Sequence, residues 1–175
     1  MRKVTLPVAG VLVVTLAACG GGGNGSSPTT PTPVPEAAIA VTGNGFLVIH
    51  PSAVAANFAM EVPVSIRETG GGTADWTSAR LTLFSAAGQE IGRRELTADD
   101  IAAAGFTRIA ARQDEAYVMV FQISNTEFDD LTLTLRFVDR SDGGIVTVEV
   151  LGSTFDGVDI SLEPLNRPEP GYRLE

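Results

Sequence analysis

The sequence predicts an all-β fold, an antiparallel β-sandwich of about seven to eight strands with one short helical turn. From Ala38 onward, apolar residues recur with period two, the spacing that places every second side chain on one face of a strand. Turn-forming clusters of Gly, Asn and Asp separate these stretches at intervals of roughly 8 to 14 residues, which favours hairpins over the long crossovers of a parallel sheet. A single short segment carries the start and stop signals of a helix.

The N-terminal residues 1–18 have the features of an export signal. Arg2 and Lys3 precede Val4 to Ala18, a stretch of 15 residues without a charge. This stretch is shorter than the ~20 residues that a helix needs to cross a bilayer. A positive start, a short apolar run and small residues at its end predict a signal peptide that is removed.

The end of this segment, Leu16-Ala17-Ala18-Cys19, resembles the bacterial lipobox, in which Leu and two small residues precede an obligatory Cys. The resemblance implies cleavage between Ala18 and Cys19 and a diacylglyceryl thioether on the sulfur of Cys19. Acylation of the new amino group, for example with palmitate, would bring the anchor to two or three chains, enough for stable attachment. The alternative is an ordinary secretory signal followed by a chance Cys, and both readings predict export.

Gly20 bears on which membrane receives the anchor. An Asp directly after the lipidated Cys resembles the inner-membrane retention signal of Gram-negative lipoproteins. Gly20 therefore favours the outer membrane, on its periplasmic face, if the host is Gram-negative.

Residues 19–37 are predicted to be the lipidated Cys followed by a linker rich in Gly, Ser, Thr and Pro. Gly20 to Pro35 contains one aliphatic residue, Val34, and therefore cannot bury enough apolar surface to offset its ordering entropy. Sixteen such residues reach on the order of 50 Å when fully extended. The Ser/Thr/Pro portion leaves a glycosylated stalk open as a sharper alternative.

The sandwich is predicted over residues 38–165. Five segments alternate strongly and are the best strands: Phe58 to Ile66, Leu81 to Leu83, Tyr117 to Ile123, Leu131 to Phe137 and Val146 to Val150. Three segments alternate more weakly: Gly45 to Ile49, Glu90 to Leu96 and Phe106 to Ala110. Pro63 lies inside the first strong strand and lacks a ladder donor, so we expect an edge, a bulge or an outward-facing nitrogen there.

The helical turn is predicted between the second and third weak strands. Thr97 is the expected N-cap, Asp99 and Asp100 make an acidic first turn, and Gly105 is the stop. The last ten residues, 166–175, are predicted to be a flexible Pro-rich tail.

Composition excludes several functional classes. Lys and Arg total 12 against 21 Asp and Glu, a net charge of −9, and removal of Arg2 and Lys3 leaves ten against 21, or −11. Such a chain lacks the clustered cations that nucleic-acid binding needs. The single Cys and single His exclude disulfide frameworks and thiolate or His-rich metal sites, and no cofactor is expected.

The run from Glu61 to Val150 resembles the immunoglobulin-like or fibronectin type III-like sandwiches of bacterial envelope proteins. It contains VPVSIRETGGG, TSARLTLFSAAGQEIG and LTLTLRFVDRSDGGIVTVEV, short amphipathic strands joined by polar turns with an Asp-Gly pair late in the domain. Antibody-type domains match poorly, because there is no Cys pair and Trp76 is predicted to lie just before a strand. The resemblance implies a non-catalytic module for adhesion, spacing or recognition.

Three residues outside the anchor are candidates for chemistry. His50 is the one imidazole through which nucleophilic catalysis would run, and it is predicted to cap a turn at a strand end before Pro51. Asp139 and Asp142 are weak candidates for a metal ion; their spacing differs from that of a Ca²⁺ loop, and a role in a solvated, capped turn is favoured.

These observations together predict a membrane-anchored, non-catalytic envelope lipoprotein whose sandwich is an interaction or structural module. Its partners would be the membrane, through the lipid, and an unidentified envelope protein, and we expect a monomer. Two alternatives remain open: a domain that binds a small ligand or Ca²⁺ through acidic loops, and an envelope enzyme centred on His50.

Overall fold

A computed structural model describes residues 32–52 and 57–161 and the backbone of 173–174; the predicted signal peptide and Cys19 lie outside them. The strands are β1 Ile39–Gly43, β2 Phe46–Pro51, β3 Phe58–Glu68, β4 Ala74–Phe84, β5 Glu90–Leu96, β6 Arg108–Ile109, β7 Asp114–Ile123, β8 Asp130–Asp139, β9 Ile145–Leu151, β10 Gly157–Ile160 and β11 Arg173–Leu174. One α-helix, α1, spans Ala98–Ala103, and Gly152–Thr154 form a 3-10 turn. The predicted all-β class is confirmed.

The strands form two sheets. Sheet A has the order β10-β2-β3-β7-β11, with β1 also on β3, and sheet B has the order β5-β4-β8-β9, with β6 also on β4. Among the described strands the chain changes sheets four times, after β3, β6, β7 and β9, and the two sheets pack as a sandwich. All pairs are antiparallel except that of β10 with β2, which is parallel.

The core lies between the two sheets and is made by the inward side chains that the alternation predicts. The expected position of Trp76 just before a strand is wrong. Trp76 lies inside β4 and is 5% exposed. Its ring is 5.8 Å from that of Phe137 and 5.7 Å, edge to face, from that of Tyr117 on the other sheet. These aromatic contacts join the two layers.

Pro63 lies in the interior of sheet A without breaking it. On one side Pro63 pairs with Val118 of β7. On the other side β3 pairs first with β2 and then with β1, and Pro63 lies in the gap between these two pairings. The amide of Asn44 donates to the Pro63 carbonyl at 3.1 Å, so the missing N–H of the proline faces this gap. Gly45, with φ of +94°, makes the turn that separates β1 from β2.

The predicted helical turn is confirmed at α1. The Thr97 hydroxyl accepts from the Asp100 amide, and the Asp100 carboxylate accepts in return from the Thr97 amide, a capping box. Gly105 follows the helix with φ of +89°. Two residues of the predicted tail, Arg173–Leu174, pair with β7, and the rest of residues 166–175 lies outside the described part.

The strand directions define two poles. The N-terminal pole is where β1 begins, together with the loops of residues 69–73, 110–113 and 140–144. The opposite pole carries the loops of residues 85–89 and 124–129.

Candidate functional site

Two buried carboxylates lie at the N-terminal pole. Glu68, the last residue of β3, is 2% exposed, and Asp139, the last residue of β8, is 4% exposed. Neither forms an ion pair within the described residues. Because a buried charge without partners is costly, each carboxylate must be stabilised by hydrogen bonds.

Glu68 is held by backbone amides. Its Oε1 accepts from Ala38 at 3.1 Å, Gly70 at 2.7 Å and Gly71 at 3.0 Å, and its Oε2 accepts from Gly71 at 2.9 Å and Arg112 at 2.8 Å. Burial raises the pKa of Glu68, but these amide bonds outweigh it and leave the pKa below the ordinary value. The residue stays ionised and ties three separate segments together.

Asp139, at the end of a strand of sheet B, is also held by backbone amides. Its Oδ1 accepts from the Ser141 amide at 2.7 Å and its Oδ2 from the Ala37 amide at 2.5 Å. The bonds from Ser141 and Ala37 hold the pKa of Asp139 below its ordinary value. Glu68 and Asp139, with the amides of Ala37 and Ala38, form what we call the N-terminal clasp.

The clasp fixes the end of the predicted linker to the sandwich. Ala37 is 9% exposed and belongs to the core. Gly70 and Gly72 in the β3–β4 loop lie so close to this segment that a Cβ on either would overlap the backbone of residues 36–38. The predicted linker boundary at residue 37 therefore falls where the chain becomes packed against both sheets.

The weak metal candidates have other roles in the structure. Asp139 is taken up by the clasp, and Asp142 is exposed and accepts from the Gly144 amide at 2.7 Å. The described residues hold no group of three His, Cys, Asp or Glu side chains arranged to bind a metal ion. Both residues cap turns, at Ser141 and Gly144. Asp139 differs from the expected solvated turn residue because it is buried.

His50 lies at the end of β2 on the outer face of sheet A. Its side chain is 17% exposed, and its Nε2 is 4.0 Å from Oε1 of Glu61 on β3. Of the predicted site residues, Cys19 and Ala18 lie outside the described part of the chain. Among the helices that are described, none is long and apolar enough to span a membrane.

Sequence reasoning missed Glu68. The local signal for a buried, amide-bound carboxylate is the sequence itself: Glu68 is followed by Thr69 and three glycines. Glycines allow successive amides to converge on one anion. The partners Ala38 and Arg112 are distant in sequence, so this signal alone could not identify them.

Neither a protein-family model nor a curated protein matches the chain. Among solved structures, structural genomics target SoR45 is similar with 14% identity and a TM-score of 0.46, over 63% of this chain and 80% of that one. A Bordetella pertussis protein solved under the name ApaA is similar with 17% identity and a TM-score of 0.44, over 68% and 95%.

Proposed function

We propose that this chain is a membrane-anchored, non-catalytic lipoprotein of the bacterial cell envelope, whose sandwich serves as an interaction or structural module. Cys19 carries the lipid, and the residues between it and the N-terminal clasp space the sandwich from the membrane. In a Gram-negative envelope, the anchor lies in the periplasmic face of the outer membrane.

The observation that carries the proposal is the N-terminal clasp. A domain attached through its N-terminal chain needs a fixed junction where that chain leaves the fold. Two buried carboxylates supply such a junction, one from each sheet, at Ala37 and Ala38. A non-catalytic role agrees with their use, because their oxygens bind the chain's own backbone.

The lipid is tested by Cys19→Ala in the full chain, expressed in a bacterial host. We expect the wild type to fractionate with membranes and to carry acyl chains on Cys19 by mass spectrometry. We expect the variant to leave the membrane fraction, while Gly21→Ser, a change in the linker, has no effect. Unmodified Cys19 in the wild type, or equal membrane retention of Cys19→Ala, contradicts the proposal.

A further inference from the structure

Exposed apolar side chains concentrate around β10. Val158 is 47% exposed and Ile160 is 58% exposed, and both lie on this strand. Phe46 on the neighbouring β2 is 55% exposed, and Leu151 at the end of β9 is 52% exposed. Clusters of this kind on a folded domain mark contact sites more often than single exposed apolar residues do.

A groove of about 410 Å³ opens beside this strand, at the seam between the two sheets. Its apolar lining is Leu47, Phe128, Leu131 and Val158. The 3-10 turn closes one side of it through Gly152 and Ser153. We call β10 together with this lining the β10 groove.

Within residues 32–52 and 57–161, one backbone edge of β10 is unpaired. β10 pairs with β2 on one side, and no other described strand lies on its second side. The Ser161 amide donates to the Ile49 carbonyl at 2.8 Å. Because successive amides of a strand point in opposite directions, the amide of Ile160 faces away from β2. Such an edge can accept an added strand.

Four carboxylates lie in the groove or near β10. Asp129 and Asp130 line it, and Asp156 and Asp159 lie beside or on β10. None of the four takes part in an ion pair within the described residues, and no Arg lines the groove. An occupant with Lys or Arg side chains would supply the missing counter-charge. A second copy would bring another strongly acidic chain, at −9, and would be repelled.

We propose that the β10 groove is a docking site for an extended segment of a partner protein in which apolar residues alternate with Lys or Arg. The segment adds to β10 as a strand, its apolar side chains enter the groove, and its cations point to the opposite face of the sheet, the face on which Asp159 lies. This inference rests on the proposed role of the sandwich as an interaction module and names the surface and the partner chemistry.

The test uses the full chain purified in detergent and a capped nine-residue peptide of alternating Val and Arg that carries a fluorophore and a photo-crosslinker. Fluorescence anisotropy measures binding, and mass spectrometry locates the crosslink. Two control peptides carry Glu in place of Arg, or N-methyl groups on the amides that would face β10. We expect saturable binding of the Arg peptide, crosslinks in β10, and little binding of either control.

Two isoleucines provide matched variants. Ile160 on β10 and Ile145 on β9 are 58% and 63% exposed, but only Ile160 belongs to the groove strand. We expect Ile160→Lys to weaken binding at least about tenfold, because it adds a cation facing a cationic ligand, and Ile145→Lys to leave binding unchanged. Asp129→Asn, which removes one groove charge, is expected to weaken binding less and to flatten its salt dependence.

Several results would overturn the docking site. They are no binding at about 1 mM Arg peptide, equal binding of the Glu or N-methyl peptide, equal losses in Ile160→Lys and Ile145→Lys, and crosslinks outside β10. Lipid on Cys19 is measured separately, so a failure of the groove and a failure of the anchor are distinguishable.

Discussion

At the scale of single residues, Glu68 and Asp139 depart from the expectation that charged side chains are exposed. Asp139 is visible in the sequence as an acidic turn residue, and its capping role follows from local chemistry. Its bond to Ala37 spans 102 positions, and no local pattern encodes such a contact. Glu68 continues the inward-facing set of β3 after Val64 and Ile66, so the alternation places it on the buried face. The alternation does not reveal which amides stabilise the charge there.

Glu68→Gln tests the clasp. The amide that replaces one carboxylate oxygen is a donor and would face backbone N–H groups that are donors themselves. We expect a loss of about 1 to 3 kcal/mol in the free energy of unfolding, measured by urea denaturation. Glu149→Gln, at an exposed position of β9, is the control and should change stability little; an equal loss in both variants would contradict a special role for Glu68.

The clasp also predicts an acid-labile fold. The pKa values of Glu68 and Asp139 are lowered in the folded state from 4.5 and 3.8, so folding favours their ionised forms. Their contribution to stability is complete above the unfolded pKa values and is lost as the pH falls through the folded ones. We expect the free energy of unfolding, measured in urea, to fall below about pH 4.5 and to fall less in Glu68→Gln. A rise in stability on acidification would refute this coupling.

At the scale of elements, the five strongly alternating and the three weakly alternating segments were predictable, and β1, β10 and β11 were missed. β10 has only four residues, and its two apolar positions, Val158 and Ile160, are too few to establish a period of two. In β4 a bulge lies between Trp76 and Ser78, which shifts the period of two by one residue. The alternation therefore predicts a strand that begins near Leu81 and leaves Trp76 outside it.

The β3–β4 loop allows the N-terminal segment to cross the pole. Gly72→Ala would place a methyl group against the backbone of Glu36 and Ala37, which no rotamer change can relieve. We expect faster amide hydrogen exchange at Ala37 and Ala38 in this variant, measured by NMR or mass spectrometry.

Gly92→Ala is the matched control for the loop. Its added methyl would meet the Leu83 side chain at ordinary contact distance, 3.5 Å. Unchanged exchange at Ala37 in Gly72→Ala, or an equal effect in Gly92→Ala, would mean that the close approach does not hold the segment.

At the scale of the whole molecule, one core serves both sheets. Trp76 and Phe137 from sheet B meet Tyr117 from sheet A, so neither layer keeps its packing alone. We expect a single unfolding transition in urea, with the same midpoint from far-UV circular dichroism and from the fluorescence of Trp76, the one tryptophan in the chain. Separate midpoints for the two signals would show that the layers unfold independently.

The route of the chain at residues 37–43 determines how the domain bears mechanical load. Ala37 is fastened to sheet B and Ala38 to sheet A, and β1 then runs antiparallel to β3 from Ile39 to Gly43. A pull from the N-terminal side is therefore divided between the two layers at once. Beyond the clasp, the force acts along β1 and loads its ladder in shear, so several hydrogen bonds must break together instead of opening one after another.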